Sequence, residues 1–196
     1  MATFEAIYGL SLAIQKLLLD NYPVTLGTPI VSVVQPTAIS SPVSTDEGFG
    51  FTVSLYKVSV SATQRPQTPR RDLLGKLFRP SRLVDLHYLI TPWAKGVDKQ
   101  HKMLGWVINL IEDRGTLSSA LLNSQADIFG PLESVQLSFE SMPLTDHFNL
   151  WDKLRNGFPA SATCVARMVA LDSTRPIDEP ELVQVRKFDV YQAEAL

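Results

Sequence analysis

Of 196 residues only Cys164 is a cysteine, so no disulfide can form within the chain. The fold must rest on its core, and a reducing compartment suits it. Histidine is equally scarce. His87, His101 and His147 stand at no zinc-ligand spacing, and neither a CxxC pair nor an HExxH helix occurs. Glycine-rich phosphate loops are missing too. Gly48-Phe49-Gly50 is only half of a dinucleotide fingerprint, without the third glycine or a following helix. No metal or cofactor is expected. Neither sign of charge prevails: 18 basic side chains face 20 acidic ones, for a net charge of −2. That leaves no global pull toward nucleic acid or anionic lipid. Long apolar runs are absent as well. In MATFEAIYGLSLAIQKLLLD, Gln15, Lys16 and Asp20 arrive too early for a membrane span. Glu5 and the lack of a basic leader speak against a secretory signal. The expectation is a soluble, cytoplasmic protein without direct membrane insertion.

What is present is a mixture of two periodicities. A chain of this size can hide roughly 70% of its unfolded surface in one domain. After a Thr3 cap, the stripe Phe4, Ile7, Leu10, Ile14, Leu17 and Leu18 predicts a helix to about Tyr22. Pro29–Gln35 reads as a strand, and Pro36–Gly48 as a Ser/Thr/Pro-rich loop. Phe49–Ser61 is a long strand whose phase switches at Leu55–Tyr56. Phe49, Phe51, Val53 and Leu55 share one face and Tyr56, Val58 and Val60 the other, which predicts a β-bulge. A helix over Asp98–Asp113 would turn Met103, Leu104, Val107, Ile108, Leu110 and Ile111 inward. Thr116–Asn123 reads as a short helix. Val135, Leu137 and Phe139 alternate as a strand. Thr145 opens a helix carrying Phe148, Trp151 and Leu154 that ends at Gly157. Ala162–Leu171 is an apolar strand, and Leu182–Tyr191 reads as a last one. Trp93, Trp106 and Trp151 suit core packing. The mixture without strict alternation predicts an α+β fold, a mixed, mainly antiparallel sheet flanked by helices.

Arg82–Trp93 (RLVDLHYLITPW) is the most particular segment. Val84, Leu86, Tyr88 and Ile90 fall on one face of a long strand, and Leu83, Asp85, His87 and Leu89 on the other. The strand is expected to stop at Pro92, which lacks a ladder donor. Asp85 and His87 share a face, so the carboxylate could orient the imidazole for general-base chemistry in a hydrolase. Yet no nucleophile motif accompanies them, since Gly9-Leu10-Ser11-Leu12-Ala13 sits inside a helix rather than at a strand-to-helix turn. A polar pair that fixes register or an interface is the favoured reading, and no enzyme is expected.

The connection Gln64–Ser81 (QRPQTPRRDLLGKLFRPS) collects Arg65, Arg70, Arg71, Lys76 and Arg79, with Arg82 just beyond. It could grip phosphates as a nucleic-acid adaptor. Phe78 is its lone aromatic, however, and the protein is neutral, which favours pairing with an acidic protein surface or a merely solvated loop over nucleic acid. Leu73, Leu74, Leu77 and Phe78 suit docking onto the core or a neighbouring subunit.

The motif DLHYLITPWA, preceded by FEAIYGLSLAIQKLL and FTVSLYKVSV and followed by HKMLGWVINLIED, resembles a family of cap proteins. VQLSFESMPLTDHFNLWDKL and ATCVARMVALD continue the likeness in order, to about Asp172. The family forms the N-terminal part of tail terminators in extracellular contractile injection systems such as antifeeding-prophage and Photorhabdus virulence-cassette particles. The chain departs from it in the basic Gln64–Ser81 loop and in RNGFPAS before Ala162. The resemblance implies a phage tail-terminator-like fold over residues 1–172; beyond it, the acids and strand-like run of 173–196 read as a C-terminal tail that pairs with a partner's sheet edge or forms an edge strand of its own domain. The resemblance also implies a homo-oligomeric ring, typically sixfold, on the end of tube and sheath. Such a ring would stop polymerisation and hold the sheath extended. Asp85, His87, Tyr88, Pro92, Trp93 and Trp151 then become structural signature residues. Arg65, Arg70, Arg71, Lys76, Phe78, Arg79, Val183, Val185 and Phe188 become the candidate partner interface. Partners would be the ring's own copies and the tube and sheath proteins, with no nucleic acid and no cofactor.

Overall fold

A computed structural model of the chain describes residues 4–36, 48–62, 68–72, 74–154 and 159–177. Helix α1 (Ala6–Asn21) buries Ala6, Leu10, Ala13, Ile14, Leu17 and Leu18, one face at helical spacing. It stops where Tyr22, preceding Pro23, turns to extended backbone. The expected stripe loses one member: Phe4 is 79% exposed and precedes the helix. Thr3, its expected cap, lies outside the described residues.

Strands β1 (Ile30–Val33) and β2 (Gly50–Val60) run parallel, with Ile30 opposite Gly50. Gly50 is obligatory at that junction, because a Cβ there would lie 1.9 Å from the Ile30 carbonyl oxygen. The expected bulge is present: the register against β5 skips Tyr56 between Leu55 and Lys57. Its effect on phase differs from the expectation. Val58 and Val60 pair with Leu86 and Val84, so they return to the core-side face and only Tyr56 is thrown to the other.

The connection expected to be irregular forms a small ribbon, β3 (Arg70–Arg71) against β4 (Leu77–Phe78). Strand β5 (Arg82–Trp93) has the predicted bounds, but Pro92 lies inside it, opposite Phe51, and does not end it. Helix α2 (Val97–Arg114) carries Asp98 in its first turn and Arg114 in its last, each complementing the dipole. It closes on Gly115 in the left-handed region (φ 59°), whose N–H donates to Ile111 O.

The segment expected to be a single short helix splits into β6 (Thr116–Leu117) and α3 (Ser119–Leu122). Strand β7 (Val135–Phe139), helix α4 (Leu144–Leu154) and strand β8 (Ala162–Leu171) complete the elements of the described residues. The expected last strand, Leu182–Tyr191, and the expected helix end, Gly157, lie outside the described residues.

The main sheet has the order β1-β2-β5-β8-β7-β6, antiparallel except at β1–β2. The expectation of an α+β fold with a mixed, mainly antiparallel sheet holds. Helices α1 and α2 pack on one face, where Leu10, Ile14, Leu86, Tyr88, Met103, Ile111 and Leu137 form the main core. An aromatic corner closes its β1–β2 end, with the Tyr22 ring 4.9 Å from Trp106 and 5.8 Å from Phe51. On the opposite face a smaller cluster of Leu89, Val34, Tyr56, Trp93 and Leu150 sits beside α4.

Candidate functional site

Every second residue of β5 looks into that smaller face, which brings Asp85 and His87 there, both buried. The structure does not make them a pair. Asp85 Oδ1 accepts the Met168 N–H at 2.9 Å. Opposite Asp85 the register jumps from Val84–Val169 to Leu86–Ala166, and Met168 is the one described non-glycine residue with positive φ (54°). The carboxylate therefore satisfies the amide that this β8 bulge removes from the ladder. The hydrolase pairing of Asp85 with His87 is corrected on that geometry.

His87 has two other partners. Its Nδ1 lies 2.7 Å from Glu140 Oε2, and its Nε2 lies 2.9 Å from Ser59 Oγ. A carboxylate can only accept, so Nδ1 carries the proton. In the neutral ring Nε2 then accepts from the Ser59 hydroxyl. Glu140 follows β7 directly and is held from both sides: its N–H donates to Thr163 O at 3.0 Å, and the Thr163 hydroxyl donates to its carbonyl. Arg167 Nη2 stands 3.9 Å from Oε1. Serine, histidine and glutamate thus sit in nucleophile–base–orienter order.

The bulge adds to this site by placing Tyr56 and Lys57 together on its rim. The Tyr56 ring centroid is 6.0 Å from that of His87. Burial first, then the negative charge of Glu140, pushes the Tyr56 phenol up to about 12. A cavity of about 440 Å³ opens beside His87, walled by Lys57, Glu140, Met142, Asp146 and Leu150.

The remaining signature residues are packing elements. The Tyr88 hydroxyl, buried under α1, lies 3.1 Å from Ser11 Oγ and 3.4 Å from Ile7 O. Burial raises its pKa above the ordinary tyrosine value. Trp93 Nε1 donates to Thr52 Oγ1 at 3.0 Å. Trp151 lies in α4, and its side chain is outside the described residues.

The candidate interface divides. Arg70, Arg71, Lys76, Phe78 and Arg79 come together on and beside the β3–β4 ribbon, with Arg70 stacked over Phe78 at 5.1 Å. Asp72 Oδ1 accepts the Leu74 and Lys76 amides and closes the turn. Leu74 at the tip is 93% exposed. The chain after β8 returns to this ribbon, where Pro176 bridges Phe78 and Ile177 N–H donates to Leu77 O. Arg65, Val183, Val185 and Phe188 lie outside the described residues. Among the described residues no group of three or more His, Cys, Asp and Glu could hold a metal ion.

Ser59 and Glu140 were not found from the sequence. They stand 28 and 53 residues from His87, so only the strand register joins them. The pairing of β2 with β5 was the one signal that could have found Ser59. Nothing local marks Glu140.

Residues 10–185 match the family model described as the Pvc16 N-terminal domain. Solved structures that share the fold include the following two. One is the sheath/tube terminator of the extracellular contractile injection system PVC in its extended state: TM-score 0.61, 16% identity, covering 97% of this chain and 65% of that one. The other is the anti-feeding prophage tube-terminating cap: TM-score 0.59, 16% identity, covering 92% of this chain and 60% of that one. The chain thus spans about two thirds or less of the length of these neighbours. No curated protein matches it.

Proposed function

Because the chain belongs to the Pvc16 N-terminal domain family, we propose that it is a structural cap subunit of a phage-tail-like contractile injection particle. In this reading copies of the chain close into a ring, a hexamer, on the last ring of the inner tube and sheath. The ring stops polymerisation and holds the sheath extended. The observation that carries the reading is the family match across residues 10–185, joined by a fold shared with a sheath/tube terminator and a tube-terminating cap. The role asks for surfaces rather than chemistry, so it requires neither catalysis nor a cofactor.

A closed ring needs two different patches on each subunit, each matching the other on its neighbour. The β3–β4 ribbon suits one of them, since Arg70, Arg71, Lys76 and Arg79 gather on and beside a two-stranded element with exposed Leu74 at its tip. Its partner would present acids. Arg65, Val183, Val185 and Phe188 extend the same interface in the proposal, with residues 1–172 as the cap domain and 173–196 as its tail. No described helix is long and apolar enough to cross a membrane.

The test is electron microscopy of the purified protein over a concentration series, together with particles from a strain lacking it. Rings that form with concentration, and tubes and sheaths of uncontrolled length in the deletion, are the expected results. Capped particles of normal length in the deletion strain would end the proposal.

A further inference from the structure

We propose that Ser59, His87 and Glu140 form a nucleophilic triad that takes an acyl group from an activated carboxylic ester, an activity independent of any ring. The ring nitrogens are used in the required sense, Nε2 toward the hydroxyl and Nδ1 toward the carboxylate, at 2.9 and 2.7 Å. Ser59 is half-buried and His87 is buried. Thr163 holds the Glu140 backbone through two hydrogen bonds.

Beyond the stretch paired with β1, β2 has an outer side. Ser61 N–H donates to Leu83 O, and Ser59 and Lys57 follow in the same phase opposite Asp85 and His87. The amides of Val58 and Val60 therefore point to the outer side. Strand β1 reaches only to Val53, so among the described residues no strand covers them there. The cavity of about 440 Å³ is lined by His87 and Glu140, with Met142 and Leu150 in its wall, and Ser59 lies outside its lining, on the other side of His87 from Glu140.

As the Ser59 Oγ–carbon bond forms, the hydroxyl proton passes to Nε2. The imidazolium, its Nδ1–H held by Glu140, then gives that proton to the leaving oxygen as the ester C–O bond breaks. Water repeats the sequence on the acyl-serine, releases the carboxylic acid and restores Ser59.

The experiment treats the full chain with a fluorophosphonate probe, locates the label by peptide mass spectrometry, and follows hydrolysis of 4-nitrophenyl butyrate. Folded protein should label on Ser59 and turn over the ester. Ser59→Ala should abolish both without changing the circular dichroism spectrum. Glu140 acts through His87 and is a positioning residue. Glu140→Gln should slow labelling about 100-fold, the lower end of general-base effects, and Glu140→Asp should restore part of it. The proposal falls if folded protein labels no faster than urea-unfolded protein, if the label sits on another serine, or if Glu140→Gln labels like wild type.

Discussion

Along β5, Val84, Leu86, Tyr88 and Ile90 meet α1 and α2, whereas Leu83, Asp85, His87 and Leu89 look toward α4. The first set sits in a continuous core where what matters is chiefly volume, with the Tyr88 hydroxyl as its one polar contact. The second set holds one fully buried leucine and two polar side chains, each with directional partners: Met168 for Asp85, and Ser59 and Glu140 for His87. One strand thus joins a face that supplies stability to a face that supplies geometry. The lesson is that the residues making this strand recognisable do two separate jobs, and even the two polar ones do not act together.

Leu86→Ala should give the largest loss. Leu86 is fully buried, and removing its three carbons leaves a cavity as well as a lost transfer term, about 2–5 kcal/mol. Urea unfolding at neutral pH measures it. Asp85→Ala should cost less, about 1–3 kcal/mol, because its main effect is to strand the Met168 amide at a bulge already strained by positive φ. If Asp85→Ala matched or exceeded Leu86→Ala, the division of labour between the faces would be wrong.

Alkali should act on the core face next. Cys164, opposite Tyr88 and fully buried, has its thiol pushed up from 9.0 to about 12 by burial and then by the charge of Glu140. Below pH 9 both folded and unfolded thiols are protonated, and the contribution is fully present. Between 9 and about 12 the unfolded chain ionises while the folded one keeps its proton, so stability falls as pH rises. From pH 7 to pH 10 the loss should be on the order of 1 kcal/mol for the thiol alone, with Tyr88 shifting in the same direction. Cys164→Ala should show a smaller drop over that interval. An equal drop would locate the alkaline sensitivity elsewhere.

How far the sequence reached depends on which kind of order an element has. Strands β5 and β8 carry long apolar runs, which make the segments Arg82–Trp93 and Ala162–Leu171 legible as strands. The bulge at Tyr56 was legible because it breaks an alternation. The faces beyond it were not, since an inserted residue resets the phase in a way only the partner strand reveals. Strands β3, β4 and β6 are two residues each and exist by pairing, which leaves no periodicity to read. Pro92 was expected to end β5 because it lacks an N–H, yet the strand runs on one residue with Pro92 opposite Phe51. The ribbon cations could be named from composition. The Ser59–His87–Glu140 set could not, because register assembled it.

The smallest effect tests whether the face or the cover decides burial. Val53 and Val60 share one side of β2, yet Val53 is fully buried and Val60 is 69% exposed. Val53→Thr puts a hydroxyl into the core and should cost about 1–3 kcal/mol if it finds no partner. Val60→Thr keeps the β-branched shape in water and should stay within about 0.5 kcal/mol. Both values should hold at any protein concentration if Val60 faces solvent. If Val60→Thr is neutral in dilute solution but costly at high concentration, that end of β2 is covered by a second copy. The exposed valines would then belong to an interface between subunits.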